Sequence, residues 1–119
     1  MQANNRDAAS VWDMVQAIRR IQEFTMGLTS DDYQASILIQ SAVERQLEVL
    51  GEAAGRVSDT FRQTHPEIDW RRIVGLRNII IHRYDEIQQD IIWNVITTEL
   101  ATLLAQLEPL LPPLLNGRS

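Results

Sequence analysis

An all-α fold, an antiparallel helical bundle, is what this sequence predicts, and three observations predict it. Apolar residues recur at steps of three and four along nearly the whole chain. No segment alternates apolar and polar residues over a useful strand length, and the breaks between periodic segments carry capping and stop residues. The 119 residues, 45% of them hydrophobic, suit one domain that buries roughly two-thirds of its unfolded surface. The expected organisation is a single domain over 1–119: a core of about 7–108 with about four main helices and a short one, then a Pro-rich tail over 109–119.

The first helix is predicted over about residues 7–24, where Val11, Val15, Ile18 and Ile21 keep the helical spacing. Gly27 and the run Thr29-Ser30-Asp31-Asp32 end it, with Ser30 or Asp31 as the cap of the next helix. That second helix is expected over about 32–57, on a seam of Ile39, Val43, Leu47, Leu50, Ala54 and Val57. Its pattern weakens at 34–36, where a kink is expected. Residues 58–65 suit one short helical turn, and His65-Pro66-Glu67 is a connector, because a residue before proline avoids helical geometry. Asp69 then caps a third helix expected over 70–82, and Tyr84-Asp85-Glu86 reads as a turn. A long last helix is expected over about 87–108, with Ile92, Ile96, Leu100, Leu103 and Leu107 on one side. Pro109, Pro112 and Pro113 stop it and leave a loose tail.

Composition narrows the chemistry. With no cysteine there is no disulfide framework, zinc–thiolate site, iron–sulfur cluster or cysteine nucleophile. Two histidines, His65 and His82, argue against a dedicated transition-metal site, and no cofactor is expected. The start lacks a cationic segment followed by an apolar one, and no apolar run approaches the ~20 residues of a membrane span, so a soluble cytoplasmic protein is expected. All eleven basic residues are arginine, which a GC-rich genome is enough to explain. The net charge of −5 has the wrong sign for holding long nucleic acid by a broad electrostatic footprint. Nucleic-acid chemistry here needs a local arginine pocket or a partner's surface.

The third helix breaks the rules for a core helix. On a wheel at about 100° per residue, Trp70, Ile73, Val74, Ile80, Ile81 and Tyr84 cluster around one direction, and Arg77 lies at the centre of that stripe. Arg77 therefore faces the core, paired with Glu44 or Glu48 one turn apart on the second helix, or it faces a second chain. Arg71, Gly75, Asn78 and His82 form a polar seam on the neighbouring face, with Arg71 a candidate phosphate contact. Glycine costs about 1 kcal/mol inside a helix relative to alanine, so Gly75 suggests close approach of another backbone or a ligand. Gly51 and Gly55 form a similar small-residue strip on the second helix. Arg77 and His82 lie five positions apart, about 140° around an ideal helix. They meet at one phosphate only if the helix distorts or two copies assemble a shared cleft, as a twofold dimer does.

Histidine trades protons near neutral pH, and arginine braces the extra charge of a phosphoryl transition state with forked hydrogen bonds. Without metal ligands, that pair suits cleavage of RNA by its own 2′-hydroxyl, with His82 as base or acid and Arg77 on the pentacoordinate phosphate. A neighbouring guanidinium favours the neutral imidazole that a base requires.

The residues 77–84, Arg-Asn-Ile-Ile-Ile-His-Arg-Tyr, fit the pattern Arg, four residues, His, any residue, Tyr. Opened by Arg-Asn, that pattern resembles the HepT-like branch of the HEPN ribonuclease toxins. Residues 42–54, AVERQLEVLGEAA, resemble the family's second-helix signature; His65-Pro66-Glu67-Ile68-Asp69-Trp70 resembles its lead-in to the catalytic helix, and Gly75-Leu76-Arg77-Asn78 its entry to the motif. The likeness covers roughly residues 7–108. It implies a HEPN-like bundle, a homodimer with a composite cleft, and a metal-independent endoribonuclease acting on RNA, with tRNA as the first candidate. Arg77 and His82 take the catalytic positions and Asn78 the supporting polar one. Tyr84 matches the tyrosine that an MNT-type nucleotidyltransferase antitoxin modifies with AMP, in a type VII-like toxin–antitoxin pair. Family members often carry glycine where Arg83 stands, so Arg83 either restricts the turn that presents Tyr84 or adds a phosphate contact. Two other readings compete: a non-catalytic helical module that binds a nucleotidyltransferase, and a structural dimer whose polar seam is merely solvated.

Overall fold

The computed structural model describes residues 5–82 and 88–112, which form helices and connecting turns with no strand among them. In order they are α1 (Asn5–Thr25), α2 (Ser30–Ala35), α3 (Ile37–Gly55), α4 (Asp59–Thr64), α5 (Trp70–His82), α6 (Gln89–Thr98) and α7 (Leu100–Leu107), closed by a 3-10 turn at Glu108–Leu110. The all-α bundle is as expected. α3 runs through its middle, packed on α1 along one side and on α5 along the other. The apolar residues that mark the first helix, Val11, Val15, Ile18 and Ile21, are all fully buried, and Met14 and Ala17 complete that face. From α3, Val43, Leu47, Leu50, Ala53 and Ala54 enter the same core.

A buried acid ties α1 to the start of α4. Asp7 lies in the first turn of α1, where the helix dipole favours a carboxylate. It accepts from the Ser58 backbone N–H at 2.8 Å and from the Ser58 hydroxyl at 2.7 Å. The Ser58 hydroxyl in turn accepts from the N–H of Phe61 at 3.2 Å and caps α4, the short turn expected there.

Three local details differ from the pattern. The cap of α2 is Thr29, one residue ahead of the expected Ser30 or Asp31, because Asp32 completes a reciprocal capping box with it. The expected kink is a full break: Ser36 adopts extended backbone and its hydroxyl accepts from the N–H of Ile39 at 3.1 Å, starting α3 afresh. The last helix is interrupted at Glu99. Just before it, the Thr97 and Thr98 hydroxyls donate to the carbonyls of Trp93 and Asn94 at 3.0 and 2.7 Å, competing with the backbone ladder. Glu108, just before Pro109, pairs with Arg19 at 2.6 Å, and beyond that proline, where a loose tail is expected, Leu111 is still buried. The turn expected at 84–86 lies outside the described residues.

Sequence periodicity gave no sign of Tyr33. It is fully buried, its ring packs 5.2 Å from that of Trp93, and its hydroxyl donates to Gln89 at 2.7 Å. Gln89 donates onward to Glu44. This chain of bonds fastens the start of α6 to α2 and α3. Burial, with the Glu44 carboxylate adding to it, raises the Tyr33 hydroxyl well above its ordinary pKa.

Candidate active site

α5 is held rigidly at its N-terminal end. Ile68 and Trp70 are buried, and the Trp70 indole N–H donates to the carbonyl of His65 at 3.1 Å. Phe61 of α4 stands edge-on to Trp70 and lies 4.5 Å from the His65 ring. Asp69 accepts from the N–H of Arg72 at 3.1 Å, the capping role expected of it. Arg72 grips Glu99 through two parallel bonds of 3.2 and 2.9 Å, which joins α5 to the break between α6 and α7.

The buried face of α5 is rotated from the one predicted. Among the described side chains of α5, Trp70, Ile73, Leu76 and Ile80 are buried, whereas Val74 is half-exposed. Ile73 and Leu76 line a cleft of about 230 Å³ with Val95, Leu100 and Leu103 of α6 and α7, while α3 is the helix that α5 packs on. Arg77 consequently lies at the edge of the stripe, half-buried, where α5 crosses α3. Gly51 is what lets it sit there. A Cβ on Gly51 would stand 2.3 Å from the Arg77 Cβ and 3.1 Å from the carbonyl oxygen of Ile73.

Neither carboxylate expected to pair with Arg77 does so among the described residues. Glu44 accepts from Gln89, and Glu48 faces Arg45 at 3.6 Å. Among the described residues the guanidinium therefore keeps its donors, on a stem seated on Gly51 where two helices cross. Asn78 and Arg71 are exposed. The backbone of α5 ends at His82; the His82 side chain, Arg83 and Tyr84 lie outside the described residues.

The polar seam borders a groove of about 900 Å³ between α5 and the α3–α4 corner. Arg71, Gly75 and Asn78 line one wall, and Gly55 and Arg62 contribute from the other elements. Within the protomer nothing approaches Gly75: a Cβ there, or on Gly55, would have no atom within 4 Å. The small-residue strip thus splits, with Gly51 seating α5 and Gly55 facing open space. Sequence reasoning missed Arg62 because only tertiary contact brings a short α4 to the seam. Among the described residues, no three His, Asp or Glu side chains are grouped as metal ligands, and no helix is long and apolar enough to cross a membrane.

Comparison with known proteins follows the same outline. A family model described as ribonuclease HepT-like matches residues 14–110. The protein named Probable ribonuclease HepT from Thermococcus cleftensis is 33% identical over 98 residues, 82% of this chain and 89% of that one. A candidate RNase of Methanocaldococcus jannaschii is 30% identical over 100 residues, 84% of this chain and 92% of its own. Another, of Caldanaerobacter subterraneus subsp. tengcongensis, is 32% identical over 89 residues, covering 75% and 80%. No solved structure gives a significant match.

Proposed function

Because the chain belongs to the HepT-like ribonuclease family, we propose that it is a metal-independent endoribonuclease whose reaction is carried by Arg77 and His82. The observation that carries this reading is Arg77 itself, a half-buried residue whose Cα and Cβ are seated on Gly51 and whose guanidinium has no carboxylate partner among the described residues. A structural arginine at a helix crossing would be expected to take Glu44 or Glu48, and both are engaged elsewhere.

In the proposed reaction His82 takes the proton of a ribose 2′-hydroxyl, whose oxygen attacks the adjacent phosphorus. The bond to the 5′-oxygen breaks, and that oxygen takes a proton, leaving a 2′,3′-cyclic phosphate and a 5′-hydroxyl end. Arg77 stabilises the pentacoordinate phosphate, and Asn78 supports the polar wall beside it. The angular separation of Arg77 and His82 on α5 favours a composite cleft in a homodimer, where each side chain serves a phosphate shared between protomers. DNA, lacking the 2′-hydroxyl, resists.

In the fuller reading the protein is the toxin of a type VII-like pair and acts on RNA, with tRNA the first candidate. A cognate MNT-type nucleotidyltransferase silences it by placing AMP on Tyr84. The modification adds phosphate charge and bulk two residues from His82, where RNA would lie.

The test is cleavage of tRNA in EDTA by the purified protein. Arg77→Ala and His82→Ala are expected to lose activity by about 10³-fold while keeping helical circular dichroism and dimer mass. Tyr84→Phe is expected to cut RNA and to escape modification on co-expression with the transferase. Full cleavage by an Arg77→Ala/His82→Ala protein ends the assignment, and a non-catalytic module binding the transferase then takes its place.

A further inference from the structure

We propose that the groove beside α5 binds the phosphodiester backbone of RNA, with Arg62 and Arg71 as its cationic contacts and Gly75 as the point where the strand approaches the helix. This rests on the ribonuclease reading and adds to it a substrate-positioning site away from the reacting phosphate.

The first support is how the arginines are spent. Between α3 and α5, Arg45, Arg56 and Arg72 each face a carboxylate, at 3.6, 3.2 and 2.9 Å. Arg62, Arg71 and Arg77 face none among the described residues, in a chain with 16 acidic residues against 11 basic ones. Where carboxylates are in excess, two guanidinium groups that line one groove without a carboxylate among the described residues, Arg62 and Arg71, suit an anion that arrives from outside. Arg62 is also anchored: one Nη2 N–H donates to the carbonyl of Ala54 at 2.9 Å, while its solvent-shielded Nε has no acceptor. Two carboxylates also border the groove, Asp69, which caps α5, and Glu67, 3.5 Å from the His65 ring, so the anion's contacts fall on the Arg62 and Arg71 part of the lining.

The second support is Gly75. Glycine weakens a helix interior, and most such glycines answer to a neighbour, as Gly51 does to Arg77. Gly75 has no such neighbour, so its missing Cβ widens the groove and nothing else. Arg71, Gly75 and Asn78 line that groove in order, and position 82 follows one turn later on the same seam. From 71 to 82 the helix rises about 16 Å, enough for more than one phosphate.

The experiment uses the full-length dimer, a fully 2′-O-methylated RNA dodecamer for binding, and the unmodified RNA for kinetics. Arg62→Gln and Arg71→Gln are each expected to weaken dodecamer binding about 5- to 10-fold. Each is also expected to reduce the slope of log affinity against log salt by about 0.7, and to raise KM more than it lowers kcat. Gly75→Ala is the control against misfolding: it is expected to raise Tm by about 4 °C and yet weaken binding. Unchanged affinity and salt slope in both arginine variants, with wild-type cleavage intact, overturns the subsite. So does a Gly75→Ala protein that binds as before, or a loss of dimer mass in Arg71→Gln, which makes the groove a seat for the second copy. If the wild-type protein cleaves no RNA, Arg77→Ala has nothing to lose, and the ribonuclease reading itself has failed.

Discussion

Arg77 and Gly51 meet where α5 crosses α3, and their contact makes two glycines of this chain opposites. Alanine is the better helix former by about 1 kcal/mol, so Gly75→Ala, with open space around it, gains that amount. At Gly51 the same substitution drives a Cβ to within 2.3 Å of another Cβ. We expect Gly51→Ala to cost about 1–3 kcal/mol in denaturant unfolding, as overpacking does. It should also lower the kcat for RNA by about 10²-fold, because Arg77 is displaced by about an ångström. Replacing Arg77 by glycine removes the struck atom. Gly51→Ala should then cost far less stability in an Arg77→Gly background, and simple additivity would refute the contact. The sequence marked Gly51 as a place for tight packing, but it held no sign that the residue above it was Arg77 rather than a second subunit.

At the scale of the element, α5 shows what a helical wheel can and cannot read. The wheel finds the stripe through Trp70, Ile73 and Ile80, and all three are buried. It also enlists Val74 and passes over Leu76, because it averages the apolar residues of one helix as though a single neighbour covered them. α5 packs on α3, and Leu76 is buried where α5 shares a cleft with α6 and α7. Leu76→Ala is therefore expected to cost about 2–5 kcal/mol. Val74→Ala, half-exposed, should cost less than about 1 kcal/mol. Equal losses for the two, measured by urea unfolding, would restore the unrotated stripe. The breaks at Ser36 and Glu99 tell a related story. Ser36 was legible as a weakness of pattern, since its hydroxyl acts on a nearby N–H. Glu99 was not, because its partner Arg72 is 27 residues away in the chain.

For the molecule as a whole, a slab of 49 × 33 × 20 Å is about two helices thick. Few polar groups are enclosed in so thin a body, and the Tyr33–Gln89–Glu44 chain is one that must hold α2, α3 and α6 together. Its pH dependence follows from linkage. The folded Tyr33 hydroxyl keeps its proton where the unfolded one, near the ordinary value of 10.0, releases it. The folded state thus binds more protons above about pH 10, so this part of the stability is intact below that point and is lost as pH rises beyond it. Unfolding free energy should fall between pH 9 and pH 11, with a shallower fall in Tyr33→Phe. An equal slope in both proteins would remove Tyr33 from the account.

The sequence by itself determined the all-α class, the cap at Asp69, the short helical turn after residue 58, the apolar faces of α1 and α3, and the residues that mark the family. Each rests on neighbours three or four positions apart, and those neighbours act before any tertiary contact forms. Only the tertiary structure decided that Arg77 sits on Gly51 without a carboxylate among the described residues, that Leu76 faces inward, that Arg62 joins the groove, and that Gly75 borders open space. Those outcomes depend on which helices lie across from one another, and helical periodicity carries the direction of an apolar face but not the identity of what meets it.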